Sequence, residues 1–156
     1  MLFRSQPFDF GSDRVGVLFV HGFTATPAET RPLAECIHRQ TGWRCRGLLL
    51  PGHGTTLKDL TRTSAHEWTT AVEREFNVLA DECDVVFLIG VSLGAVLCCL
   101  AAETLQSPKL SGLILLSPAF APRLKDRVLS RLVGPFQPFP YKGMAKERYA
   151  YATRLR

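Results

Sequence analysis

The stretch Leu88–Val96, LIGVSLGAV, restricts the folds open to this chain more than any other. It ends an apolar, β-branched run that begins at Asp84 (DVVFLIG) and passes directly into LGAVLCCLAAETL, which is apolar nearly all round. The run reads as a strand buried on both faces, the following segment as a buried helix. Two further runs have the same character, VGVLFVHGF (Val15–Phe23) and LSGLILLSPAF (Leu110–Phe120), while WRCRGLLLPGHG (Trp43–Gly54) reads as a strand running into a Gly/Pro loop in which His53 is a loop residue rather than a ligand. Pro7–Phe10 is a candidate fifth strand. Between them lie helical patterns. Residues 33–37 supply an apolar face with Gly42 as a stop. SAHE (Ser64–Glu67) is a capping box opening a helix with Trp68, Ala71, Val72, Phe76 and Leu79 on one stripe. Regular alternation of strand and helix predicts an α/β fold, a parallel sheet with helices on both faces. TATPAE leaves two starts open for the first helix: a capping box of Thr26, Pro27 and Glu29, or a start near Pro32.

The corner at Ser92 has a mechanical requirement. In Gly90-Val91-Ser92-Leu93-Gly94 the residues two positions either side of the serine must be small for a strand to turn into a helix so sharply. Such a turn lifts the hydroxyl to the top of the sheet and aims the Leu93 N–H, at a helix N-terminus, toward a place where negative charge can develop. The end of the first strong strand, His21-Gly22-Phe23, supplies what a second donor needs. Gly22 permits close backbone approach, Phe23 can present its N–H, and His21 at the strand end is suited to bracing the loop rather than to acting as a base.

Composition limits the alternatives. The chain has 156 residues, 46% hydrophobic and 21% charged, enough for one core. No apolar run approaches the ~20 residues needed to cross a membrane, and the start lacks a signal-peptide core, so no transmembrane segment and a cytoplasmic location are expected. The five cysteines, without C-x-x-C spacing, read as reduced core thiols, and no metal site is expected. GVSLGA lacks the spacing of a dinucleotide fingerprint, and no cofactor is expected. The net charge of +5 is concentrated after Ala121, where nine Lys and Arg stand against Asp126 and Glu147. That excess reads as a solvated helical face, and no nucleic-acid partner is expected. The pattern changes after Phe120, which places a boundary between residues 1–120 and 121–156.

VLFVHGFTATPAETRPLAE, LLLPGHGTTLKDL, SAHEWTTAVE and LIGVSLGAV, in this order and at this spacing, resemble the α/β-hydrolase superfamily, nearest to its small bacterial carboxylesterase and monoacylglycerol-lipase branch. The resemblance runs from about Pro7 to Phe120. It implies Ser92 as nucleophile, the backbone N–H groups of Phe23 and Leu93 as oxyanion hole, a small-molecule ester as substrate, and a cap or lid beginning near Ala121. It departs in one respect. The family's triad runs Ser, Asp, His along the chain, yet no His follows Ser92, and the only later Asp, Asp126, falls in the cap segment. Neither triad partner is therefore assigned here. The expectation is the N-terminal portion of a longer hydrolase, its fold truncated after the start of the cap and its activity absent or very weak. The alternative is a catalytically dead or partner-dependent binding module on the same fold. In either case the strand GLILLS would be left with an open apolar edge, which predicts self-association.

Overall fold

The computed structural model describes residues 6–120. By its contacts the chain divides into Met1–Ala119 and Phe120–Arg156. The first unit is described below, and the basic segment 121–156 with its cap assignment lies outside the described residues.

Five strands form one sheet: β1 (Phe8–Phe10), β2 (Val15–Val20), β3 (Arg44–Gly47), β4 (Val85–Val91) and β5 (Leu110–Leu116), in the spatial order β1-β3-β2-β4-β5. β2, β3, β4 and β5 are mutually parallel. The sheet is parallel as expected except at one edge, where the short β1 runs antiparallel to β3 with Phe8 opposite Gly47 and Phe10 opposite Cys45. Two features hold that edge. Asp9 accepts from the guanidinium groups of both Arg44 (3.0 Å) and Arg46 (2.9 Å). The Phe8 ring fills the space over Gly47, where an added Cβ would stand 2.2 Å from it.

The central strands are apolar without alternation because helices cover both faces. On one face Leu18, Val20 and Leu88 pack with Val72, Phe76 and Leu79 of α3 (Ala65–Glu82) and Leu97 and Cys98 of α4 (Leu93–Leu105). On the other, Val17, Phe19 and Ile89 pack with Phe8, Cys45 and Ala34 of α1 (Arg31–Thr41). Each fully buried Phe or Leu contributes roughly 1.5–3 kcal/mol of transfer free energy.

The helix ends follow local chemistry. α3 opens on the expected Ser64–Glu67 capping box, and α1 stops where Gly42 takes the left-handed conformation (φ 77°). The short α2 (Leu57–Arg62) carries a second capping box, Thr56 with Asp59. Of the two starts left open near Pro27, the chain takes both in part. Pro27–Glu29 forms a single 3-10 turn, and α1 begins at Arg31 with Pro32 in its first turn, where a missing N–H costs nothing. Thr26 makes no side-chain cap, so Glu29 is free for another partner.

Candidate active site

The site is a consequence of how β4 ends. Ser92 sits between the last residue of β4 and the first of α4 with φ 52° and ψ −111°, a region a non-glycine residue enters only when its surroundings force it. The forcing is visible on both sides. A Cβ on Gly90 would lie 2.4 Å from the Gly94 carbonyl oxygen and 2.5 Å from Ala95 Cα. A Cβ on Gly94 would lie 2.2 Å from the Val20 carbonyl oxygen and 2.6 Å from that of His21. Only glycine lets α4 start this close to β4 and to the end of β2. The Ser92 N–H donates to the Leu116 carbonyl (2.9 Å), fixing the corner to β5. The Ser92 carbonyl accepts from Ala95 (3.2 Å) and Val96 (3.4 Å), so the trans peptide turns the Leu93 N–H the opposite way, out of the helix N-terminus.

The His21-Gly22-Phe23 turn lies against this corner. A Cβ on Gly22 would stand 3.5 Å from Ser92 Cβ and 3.5 Å from the Val91 carbonyl oxygen. His21 is fully buried and braces the turn from within. Its Nε2 accepts from the Leu50 N–H (3.1 Å), so in the neutral ring Nδ1 carries the proton and donates to the Gly22 carbonyl (2.9 Å). Burial, aided by the neighbouring His53, pulls the His21 pKa down to about 4, which keeps it in that neutral form. With both nitrogens engaged in the loop, His21 is not available as a base for Ser92. The Gly22 carbonyl also accepts from the Ala25 N–H (3.2 Å), and these two bonds set the plane of the Gly22–Phe23 peptide.

Two features of the site were not anticipated. Phe23 is partly exposed (38%), and its ring meets His53 and Trp68 edge-on, at 6.0 and 6.2 Å between centroids. Both neighbours hang from one atom. The Pro51 carbonyl accepts from Trp68 Nε1 (2.9 Å) and from His53 Nδ1 (3.2 Å). His53, read from sequence as an ordinary loop residue, is almost completely buried and packs on His21 at 4.9 Å. Burial lowers its pKa, and its Nε2 has no hydrogen-bond partner among the described residues. The second feature is Glu29, whose Oε2 accepts from the Gly22 N–H at 2.7 Å.

Residues 17–155 match the alpha/beta hydrolase family. The chain belongs to that family. It is 37% identical over 169 aligned positions to a thermostable monoacylglycerol lipase of Bacillus sp. (strain H-257), an alignment that takes in 99% of this chain and 65% of the relative. A carboxylesterase of Bacillus subtilis (strain 168) is 30% identical over 92 residues, 58% of this chain and 37% of the relative. Among solved structures, one from work on the metagenome-derived lipolytic enzymes LipS and LipT superposes with a TM-score of 0.75 at 31% identity, over 83% of this chain and 52% of that one. This alpha/beta hydrolase chain thus spans 65% and 37% of the lengths of those two Bacillus relatives. Among the described residues no helix is long and apolar enough to cross a membrane.

Proposed function

We propose that Ser92 is the nucleophile of a serine hydrolase acting on carboxylic esters of short or medium acyl chains, monoacylglycerols included. The observation that carries this reading is the backbone of Ser92 itself: a strained serine at a strand-to-helix corner, held there by two glycines with no room for a side chain. The Ser92 oxygen attacks the ester carbonyl carbon and the negative charge passes to the carbonyl oxygen, while the Ser92 hydroxyl proton is relayed, by solvent or by a base outside the described residues, to the departing alkoxide. Two peptide N–H groups, those of Phe23 and Leu93, stabilise that oxyanion, the second reinforced by the helix N-terminus. Expulsion of the alcohol leaves an acyl group on Ser92, and water then releases the acid. His21 and Gly22 support the loop. Similarity to a monoacylglycerol lipase and a carboxylesterase favours esters as the substrate class.

A second reading is favoured by one observation. His21, the histidine packed beside the corner, is committed to Leu50 and Gly22. Residues that supply a nucleophile and oxyanion donors without a base retain on the order of 10³–10⁴ over water in the best-studied protease case. On that reading the fold serves as a binding module or requires a partner for activity. A fluorophosphonate probe separates the two. Selective labelling of Ser92, abolished in Ser92→Ala, supports the hydrolase. Labelling no faster than that of other serines across the pH range where the protein is folded supports the binding module.

A further inference from the structure

We infer that Glu29 is a positioning residue of the candidate oxyanion loop, acting through the Gly22 peptide; this rests on the assignment of Ser92 and Phe23 above. Gly22 is the residue on which the loop turns, and its buried backbone is held from three directions. Its carbonyl takes the His21 Nδ1 proton and the Ala25 N–H, and its own N–H goes to the Glu29 carboxylate at 2.7 Å. A hydrogen bond to a carboxylate is about twice as strong as one between neutral groups. The point beside Gly22 that is 3.3 Å from Glu29 Oε2 is also 3.5 Å from Ser92 Cβ, so the carboxylate braces Gly22 on the side that faces the nucleophile.

The platform carrying Glu29 is itself fixed. Its own N–H donates to the Thr26 carbonyl (2.9 Å), Pro27 beneath it is buried, and the Thr30 hydroxyl closes back on the Pro27 carbonyl (3.2 Å). Thr26 declines the cap that Glu29 would ordinarily complete, and the carboxylate reaches back seven residues to Gly22 instead. Because a trans peptide holds its N–H opposite its C=O, the direction of the Phe23 N–H follows from the Gly22 carbonyl. That carbonyl in turn depends on the Gly22 φ and ψ angles, which the Glu29 bond limits. Without Glu29 a buried Gly22 N–H loses its acceptor, and a glycine has the freedom to turn in search of another.

The test uses the full chain and two readouts. The first is the rate at which a fluorophosphonate labels Ser92 in wild type, Glu29→Ala and Glu29→Gln. The second is the amide resonance of Gly22 in glycine-labelled protein, which a carboxylate acceptor moves downfield. The expected result is labelling slowed on the order of tenfold or more in Glu29→Ala, as misorientation of one donor predicts. Partial rescue by Glu29→Gln, which keeps an acceptor oxygen, and an upfield Gly22 amide in Glu29→Ala should accompany it. A residue that merely stabilised the fold would lower the melting temperature of both variants and leave the labelling rate of folded protein unchanged, and that outcome overturns the inference. Equal labelling of wild type and Glu29→Ala overturns it alone. Failure of wild-type Ser92 to label removes the hydrolase reading and this inference with it.

Discussion

Acidification from pH 7 toward 4 should weaken the fold through His21, and the structure sets the size of the effect. Free imidazole in the unfolded chain titrates near 6.5, whereas burial lowers His21 to about 4 in the fold. Between those values the unfolded chain binds a proton that the folded one refuses. The stability is therefore fully present above pH 6.5 and is lost as pH falls toward 4, at about 1.4 kcal/mol per pH unit and roughly 3 kcal/mol in all. His53 is shifted in the same direction by the same cause and steepens the fall. Asp59, Glu67 and Asp84, each lowered first by hydrogen bonds from Thr56, Ser64 and Arg14, lose their contribution only from about pH 5 downward, as the unfolded carboxylates begin to take up protons. The window from about pH 6.5 to 5 thus isolates the imidazoles. Urea unfolding at half-unit intervals reads the slope, and His21→Gln should reduce it by about 1.4 kcal/mol per pH unit. Ring nitrogen shifts measured on wild type supply a check that needs no variant: His21 should remain the neutral Nδ1–H tautomer at pH 5. Stability flat from about pH 6.5 to 5, or a His21 ring that titrates near 6.5, would refute the reasoning.

Gly94→Ala should cost at least about 3 kcal/mol, the upper range for overpacking, because the new methyl meets two backbone carbonyls that cannot rotate away. Gly42→Ala has open space around it and should cost only about 1–2 kcal/mol for its left-handed backbone. Denaturant melts that rank these two in the opposite order would disprove the close packing of the corner. Among the described residues no strand lies beyond β5, and Leu113, Ile114 and Leu116 are exposed on it. Concentration-dependent association is expected, weakened by Ile114→Lys, with light scattering as the measure. A monodisperse monomer at high concentration would contradict it.

What was legible in the sequence is what neighbours along the chain decide. The unbroken apolar runs of β2 and β4 follow from burial on both faces, the Ser64–Glu67 box from contacts three residues apart, and the small residues around Ser92 from a steric demand at a single corner. Where reading failed, a distant partner outbid a local one. Phe8–Phe10 is three residues long and its direction is not encoded in them; it is set by Asp9 meeting Arg44 and Arg46, 35 or more positions away. His53 and Trp68 are unremarkable in their own segments and form a cluster only because both reach the Pro51 carbonyl. Thr56 and Asp59 carried a visible capping signal, but the glycines and proline just before them read as loop.

Glu29 shows why such failures gather at the site. Its local role, capping its own turn, was one of the two readings left open near Pro27, and it would have satisfied the N–H of half-buried Thr26. The partner it takes instead is the N–H of buried Gly22, a glycine wedged against Ser92, where an unpaired donor costs about 1–3 kcal/mol. The stronger need prevails, and it exists only once β2 and β4 lie side by side with Val20 opposite Gly90. A motif can therefore announce the corner at Ser92, since the corner is local. The group that steadies the loop opposite has to be found in the folded chain.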